Sequence, residues 1–217
     1  LSTRLAAGVR DELDRAARGR FESPKLAAVR PILALQARWS VIPGRGELLI
    51  ESCRSRDGHH LFVFPFEGRL VNEGIGALTA YRLTQTAPMT LAIAANDYGF
   101  ELLSDREIPL SPFQDAGIFN TEDLLSDILA SVNTSEMGRR QFREISRIAG
   151  LVFQGYPGRR KSSRQTQTSA SLLYNVFARY EPENRLLKQA TAEVLSAQLE
   201  FRRLSASLER MAGAERR

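Results

Sequence analysis

Apolar residues recur every four positions at the start of the chain, at Leu1, Leu5, Val9 and Leu13, with charged groups between them and Gly19 as a stop. This is the period of an amphipathic helix. Ser23-Pro24 reads as an N-cap and first-turn proline, and Leu26, Val29, Leu33 and Ala37 carry the apolar face of a second helix that Pro31 breaks or kinks. From Glu47 the period shortens. Residues 48–53 and 60–64 read as strands joined through Arg56-Asp57-Gly58, where Gly58 supplies the positive φ of a tight turn. Leu70, Val71, Ile75, Leu78 and Tyr81 return to helical spacing; Met89, Leu91, Ile93 and Ala95 then alternate, turn at Asn96-Asp97, and resume as Tyr98, Phe100 and Leu102. Two hairpins with a helix between them predict an α+β module with a small four-stranded antiparallel sheet, because such short turns cannot join parallel strands.

Helical patterns dominate the second half of the chain. Residues 105–118 hold Pro109, Pro112 and Gly117 without a sustained period, and mark a linker or loop between an α+β module at 1–104 and a mainly helical module at 119–217. Thr121 and Thr134 stand where N-caps would, predicting helices near 122–131 and 135–148. Leu172, Leu173, Val176, Phe177 and Tyr180 mark another, ended by Pro182. Finally Leu187, Ala190, Val194, Ala197, Phe201, Leu204, Leu208 and Met211 are spaced alternately by three and four, a heptad seam on one long C-terminal helix. Such a seam lies along its own domain or forms a coiled coil with another chain or another domain.

At 217 residues and 43% hydrophobic content the chain can bury a sizeable core. Its longest apolar runs, 61–66 and 89–95, fall far short of the roughly 20 residues a membrane-spanning helix needs, and residues 1–10 lack the apolar core of a secretory signal. No membrane partner is expected. The chain enters a helix directly at Leu1, which points to a longer parent. A lone Cys53 rules out an internal disulfide and fits a reducing cytoplasm. The net charge of +5 is unevenly spread: residues 137–168 hold eight basic residues and the single acid Glu144, a local +7, leaving −2 for the rest.

That basic segment contains two constellations. Arg139, Arg143 and Arg147 lie at i, i+4 and i+8 with Arg140 beside them, opposite Phe142, Ile145 and Ala149. Groups spaced by about 6 Å on such a ridge approach the phosphate spacing of a nucleic-acid strand, whereas a plain solvated face would mix signs. The second is a turn rich in donors, where Gly155, Tyr156, Pro157 and Gly158 precede Arg159, Arg160, Lys161 and Arg164. Glycines admit a phosphate to backbone amides, and the side chains bind it without reading sequence; a merely flexible basic loop is the plainer account. The order of glycine, lysine and hydroxyl residues is not that of a nucleotide-binding P-loop. Trp39, next to Arg38 at the end of the second helix, either stacks an unpaired base or fills the gap between helix and sheet. Cys53, His59 and His60 raise zinc, but neighbouring strand residues point to opposite faces, so no metal site is expected. Glu67, Glu73, Asp97 and Glu101 show no spacing that selects a catalytic carboxylate pair.

Several longer words then agree in order: Gln36-Ala37-Arg38-Trp39-Ser40 with Pro43, Leu49-Ile50-Glu51, the run from His60 to Arg69, Asn96-Asp97-Tyr98-Gly99-Phe100-Glu101-Leu102-Leu103, Arg140-Gln141-Phe142-Arg143-Glu144-Ile145, and Gly150 to Gly158. Together they resemble the region after the winged helix in Lhr-type (large helicase-related) helicases, above all the bacterial ligase-associated DEXH-box enzymes. The resemblance implies a cytoplasmic bacterial parent in which two RecA-like domains hold ATP and magnesium, and which translocates on single-stranded DNA and unwinds duplexes in DNA repair. No ATPase motif lies in these residues, so the expected role is a non-catalytic accessory one, without a cofactor of its own, closing one side of the single-strand channel. The family's stacked tryptophan would correspond to Trp39. Expected partners are single-stranded DNA or an RNA–DNA hybrid, the parent's RecA-like and winged-helix domains, and a second copy through the seam 187–211. A rival expectation is a protein-interaction module docking on the ATPase domains or on repair partners; a free-standing nucleic-acid enzyme ranks last.

Overall fold

The computed structural model describes residues 1–115, 117–131, 134–153, 155–156, 159–160, 163–198 and 200–217, excepting the side chains of 134–138, 155–156, 159–160, 163–167 and 197–198. It is a mixed α+β structure that divides into two compact units, Leu1–Ser131 with Phe201–Arg217, and Val132–Glu200. Helix α1 (Thr3–Ala17) starts where the Ser2 hydroxyl accepts from the Leu5 amide, and α2 (Pro24–Trp39) where Ser23 does the same for Leu26. Pro31 stands inside α2 without ending it. Strands β1 (Glu47–Arg54) and β2 (His59–Phe64) form the first hairpin, with Leu49 opposite Phe64 and Cys53 opposite His60. Gly58 has φ +141°, and a Cβ there would lie 2.3 Å from the Ser104 carbonyl oxygen, so the turn requires glycine. Helix α3 (Arg69–Thr86) leads to β3 (Ala92–Ala95) and β4 (Phe100–Ser104), and then come a single turn α4 (Ser111–Gln114), a 3-10 turn at Gly117–Phe119, and α5 (Leu124–Ser131).

The second unit is α6 (Thr134–Ile148), a two-stranded ribbon of β5 (Gly155–Tyr156) and β6 (Arg159–Arg160), α7 (Ser163–Tyr180) and α8 (Arg185–Glu193), which runs into a π-helical turn at Val194–Gln198. Phe142, Ile145, Leu187 and Ala190 form its core, against which Leu173, Tyr174, Phe177 and Leu186 pack. Phe142 meets Tyr174 and Phe177 edge-on at 5.5 and 6.0 Å, the geometry aromatic quadrupoles favour.

The chain then re-enters the first unit as α9 (Phe201–Ala212) and β7 (Glu215–Arg216). Strand order is β3-β4-β2-β1-β7, with β7 parallel to β1, so the sheet has five strands and is mixed, not the expected four-stranded antiparallel one. Leu61, Val63 and Leu102 of the sheet are buried, as are Val71, Ile75 and Leu78 of α3, which packs on β3 and β4, while Leu124, Ile128, Leu204 and Leu208 add the helical side of this core.

Two further expectations change. The predicted long helix is α8 and α9 separated by the π-helical turn and by Glu200 at φ +44°; Leu187, Ala190 and Val194 are buried in the second unit and Leu204, Leu208 and Met211 in the first. The seam 187–211 is therefore not one continuous stripe open to a second chain. Nor do the compact units part at 105–118. Ile108, Phe113, Ile118 and Phe119 bury their side chains within the first unit and carry α5 onto α3, leaving the division at 131–132 and 200–201. Among the described residues no helix is long and apolar enough to cross a membrane.

Candidate nucleic-acid interface

Trp39 is the last residue of α2 and 76% exposed, with Arg38 exposed beside it. The helix end is fixed, since the Ser40 amide donates to the Gln36 carbonyl at 2.8 Å and the Gln36 side chain donates to the Val41 carbonyl and to Glu51 Oε1 on β1 at 3.4 and 3.3 Å. Between α1, α2 and the sheet lies a groove of about 810 Å³ lined by Leu5, Val9, Leu13, Val29, Phe64 and Phe66. Trp39 is not among its lining residues, which sets aside the account in which the indole fills this gap. Of the sixteen residues of α2 only Leu26 is buried, and Ile32 and Leu35 join Trp39 at the surface. Sequence reading missed that stripe; apolar residues at 32, 35 and 39, offset from the inward positions 26 and 33, were its signal.

The arginines of α6 are less uniform than their spacing suggests. Arg139 and Arg140 are exposed, but the Arg139 guanidinium lies over the Tyr174 ring at 5.5 Å. Arg143 is half-buried, and its Nε is buried without a hydrogen-bond partner among the described residues. Arg147 is exposed and pairs with Glu144 at 2.6 Å. Phe142 and Ile145 face the core as expected, whereas Ala149 is exposed. What remains is a cationic face of Arg139, Arg140 and Arg147, with Arg143 leaning inward. For the second basic constellation the structure gives only backbone: Tyr156, Arg159 and Arg160 in β5 and β6, and Arg164 in the first turn of α7. Their side chains, and Lys161 altogether, lie outside the described residues.

Cys53 stands opposite His60 in the β1–β2 ladder and His59 opposite Arg54, which turns the two histidines to opposite faces. Among the described residues no group of three or more His, Cys, Asp or Glu is placed to hold a metal ion.

Residues 42–217 match the family described as DEAD/H associated. The chain belongs to that family. This DEAD/H associated chain is homologous to Lhr-Core helicases: it is 27% identical over 183 residues to ATP-dependent helicase Lhr-Core protein 2 of Thermococcus barophilus, covering 84% of this chain and 21% of the relative. It is 23% identical over 175 residues to ATP-dependent helicase Lhr-Core of Methanocaldococcus jannaschii, covering 80% and 20%. The chain thus spans about a fifth of the length of these curated relatives. Its fold matches that of Mycobacterium smegmatis helicase Lhr, solved bound to ssDNA and AMP-PNP, with TM-score 0.73 and 19% identity over 100% of this chain and 29% of that one. The family match begins after α2, so it takes in the α6 arginines but not Trp39.

Proposed function

We propose that this DEAD/H associated chain is the strand-gripping accessory region of an Lhr-type ATP-dependent helicase acting in DNA repair, with ATP and magnesium held by other parts of the parent. Trp39 stacks an unpaired base of single-stranded DNA and Arg38 meets the adjoining phosphate. On the second unit, Arg139, Arg140 and Arg147 neutralise backbone phosphates, assisted by Arg143 and by the segment of Tyr156, Arg159, Arg160, Lys161 and Arg164. The observation that carries the reading is the indole of Trp39, three-quarters exposed on a pinned helix end next to a guanidinium. An exposed large aromatic is costly to leave in water and stacks on any base, whatever the sequence.

Fluorescence anisotropy with single-stranded DNA across a salt series tests both surfaces. Trp39→Ala is expected to weaken binding by about 1–3 kcal/mol with an unchanged salt slope. Changing Arg139, Arg140 and Arg147 to alanine is expected to flatten the slope by about two units, at roughly 0.7 per phosphate on single strands. Binding that is absent at low salt, or identical in both variants, overturns strand gripping. The second reading, docking on the parent's other domains, would then lead; it draws on exposed Ile148, Leu172 and Tyr180 of the second unit.

A further inference from the structure

Away from Trp39 and the arginines, one set of polar side chains is ordered as catalytic groups are. Ser55 sits in the turn after β1, His60 on β2 and Glu101 on β4. Ser55 Oγ lies 2.6 Å from His60 Nε2, and His60 Nδ1 lies 2.5 Å from Glu101 Oε1. A carboxylate can only accept, so Nδ1 carries the proton directed at Glu101; Nε2 of the neutral ring is then an acceptor, and the Ser55 hydroxyl donates to it. The turn holds that hydroxyl in place, because the Asp57 amide donates to Ser55 Oγ at 3.0 Å and the Ser55 amide to the Gly58 carbonyl at 2.9 Å. The Phe62 ring lies parallel to the imidazole, 2° from it in plane with centroids 5.9 Å apart. The side chains of His60 and Glu101 are mostly shielded, at 12% and 27% exposure, while Ser55 is open to solvent. A pocket of about 270 Å³ at this end of the hairpin is lined by His59, His60, Ile108 and Leu110 among others, and Ser55 is not one of its lining residues.

We propose that Ser55, His60 and Glu101 form an acyl-transfer site for carboxylic esters, Ser55 being the nucleophile, His60 the general base and Glu101 a positioning residue. A nucleophile bonded to a base that is itself oriented by a third group is the arrangement this chemistry needs. Ser55 Oγ attacks the carbonyl carbon as its proton passes to Nε2, and the carbonyl π pair moves onto oxygen. The exposed guanidiniums of Arg54 and Arg56, which flank Ser55 in the chain, supply donors to that oxyanion. Collapse breaks the bond to the leaving oxygen, which takes the proton from Nε2 and departs as the alcohol, leaving acyl-Ser55. Water, deprotonated by the same nitrogen, then hydrolyses the ester; the acid leaves and Ser55 regains its proton. Glu101 fixes the tautomer with the proton on Nδ1, so that Nε2 faces the Ser55 hydroxyl.

The test treats the 217-residue chain with p-nitrophenyl acetate and, separately, with a fluorophosphonate probe whose fluoride is displaced by an activated hydroxyl, and maps the adduct by peptide mass spectrometry. A stoichiometric burst of p-nitrophenol and an adduct on Ser55, both absent in Ser55→Ala, are expected. His60→Ala should slow acylation by about 10²–10⁴ and recover with imidazole added to the buffer, which a bracing role would not do. Glu101→Gln should slow it with the melting temperature unchanged. An adduct on Cys53 or scattered over lysines, or no adduct in the folded wild-type chain, overturns the proposal and leaves the hydrogen-bonded chain as a brace for the hairpin. Labelling of wild type alone can decide against it, so a variant that fails to fold does not protect it.

Discussion

Glu67 is 4% exposed and faces three guanidiniums, Arg10 at 2.5 Å, Arg210 at 3.0 Å and Arg203 at 3.8 Å, and the same arginines also donate to backbone carbonyls of Pro65, Phe66, Glu67 and Leu1. Burial, and secondly the charge of Arg10, hold Arg210 below the usual arginine range. Glu67→Gln would remove the buried carboxylate charge that these cations share, and is expected to lose about 3–5 kcal/mol in urea unfolding; a loss under about 1 kcal/mol would mean solvent already screens the cluster. Three carboxyls behave differently. Asp14, Glu47 and Asp97 are held below their ordinary range chiefly by the backbone amides of Arg45, Gly44 and Arg69, respectively. A carboxyl depressed in the folded state contributes stability that is complete above its unfolded pKa of about 4 and is lost as pH falls through the folded value. The melting temperature should therefore fall as pH is lowered below about 4. A variant with Asp14→Asn, Glu47→Gln and Asp97→Asn should show a flatter profile there; an unchanged profile would place the acid sensitivity elsewhere.

Single elements separate what the chain announces from what only packing decides. Helices α1, α2, α3 and α6 and both antiparallel hairpins follow from period and caps, because each is driven by its own pattern of apolar residues. The break between α8 and α9 has no such sign: residues 194–200 contain neither glycine nor proline, and the heptad spacing continues through it. It exists because Val194 and Leu204 are buried in different cores, a tertiary demand that overrides helix propensity. Strand β7 was equally silent, since neither Glu215-Arg216 nor the Arg217 after it has any β character. Its amides and carbonyls do the work, with Glu215 donating to Gly46, Arg217 to Leu48, and Ile50 to Arg217 at 2.9 to 3.1 Å. Deleting residues 215–217 is expected to cost about 3 kcal/mol, near 1 per backbone bond, and more through the Arg216 side chain, whose donors reach the carbonyls of Phe113, Met211 and Ala214. Chemical denaturation would show it; an unchanged midpoint would mean β1 tolerates a bare edge. In the candidate interface, the spacing of the α6 arginines was legible but not that Arg143 turns inward and Arg147 takes Glu144, which depends on α7 and on side-chain reach.

Seen as a whole molecule, the first unit is discontinuous and the second is an insertion between α5 and α9. Leu129 of α5 and Phe201 and Ser205 of α9 line one open depression of about 610 Å³, so the two cut ends of the first unit lie near each other. Replacing residues 132–200 with a short glycine-serine linker is expected to leave a cooperatively melting first unit. Loss of cooperative melting would show that the insertion is needed for its fold. The same topology has a consequence on the ribosome. Residues 1–131 emerge while α9 and β7 are still unmade, and synthesis of the 69 residues 132–200 occupies about 3–14 s at roughly 5–20 residues per second. Through that interval the apolar flank of α3 that later receives Leu204 and Leu208 is exposed to other nascent chains and to chaperones, while the contiguous second unit already has all of its own residues. The segment translated later can close first, and the segment translated first must wait for the last residues of this sequence.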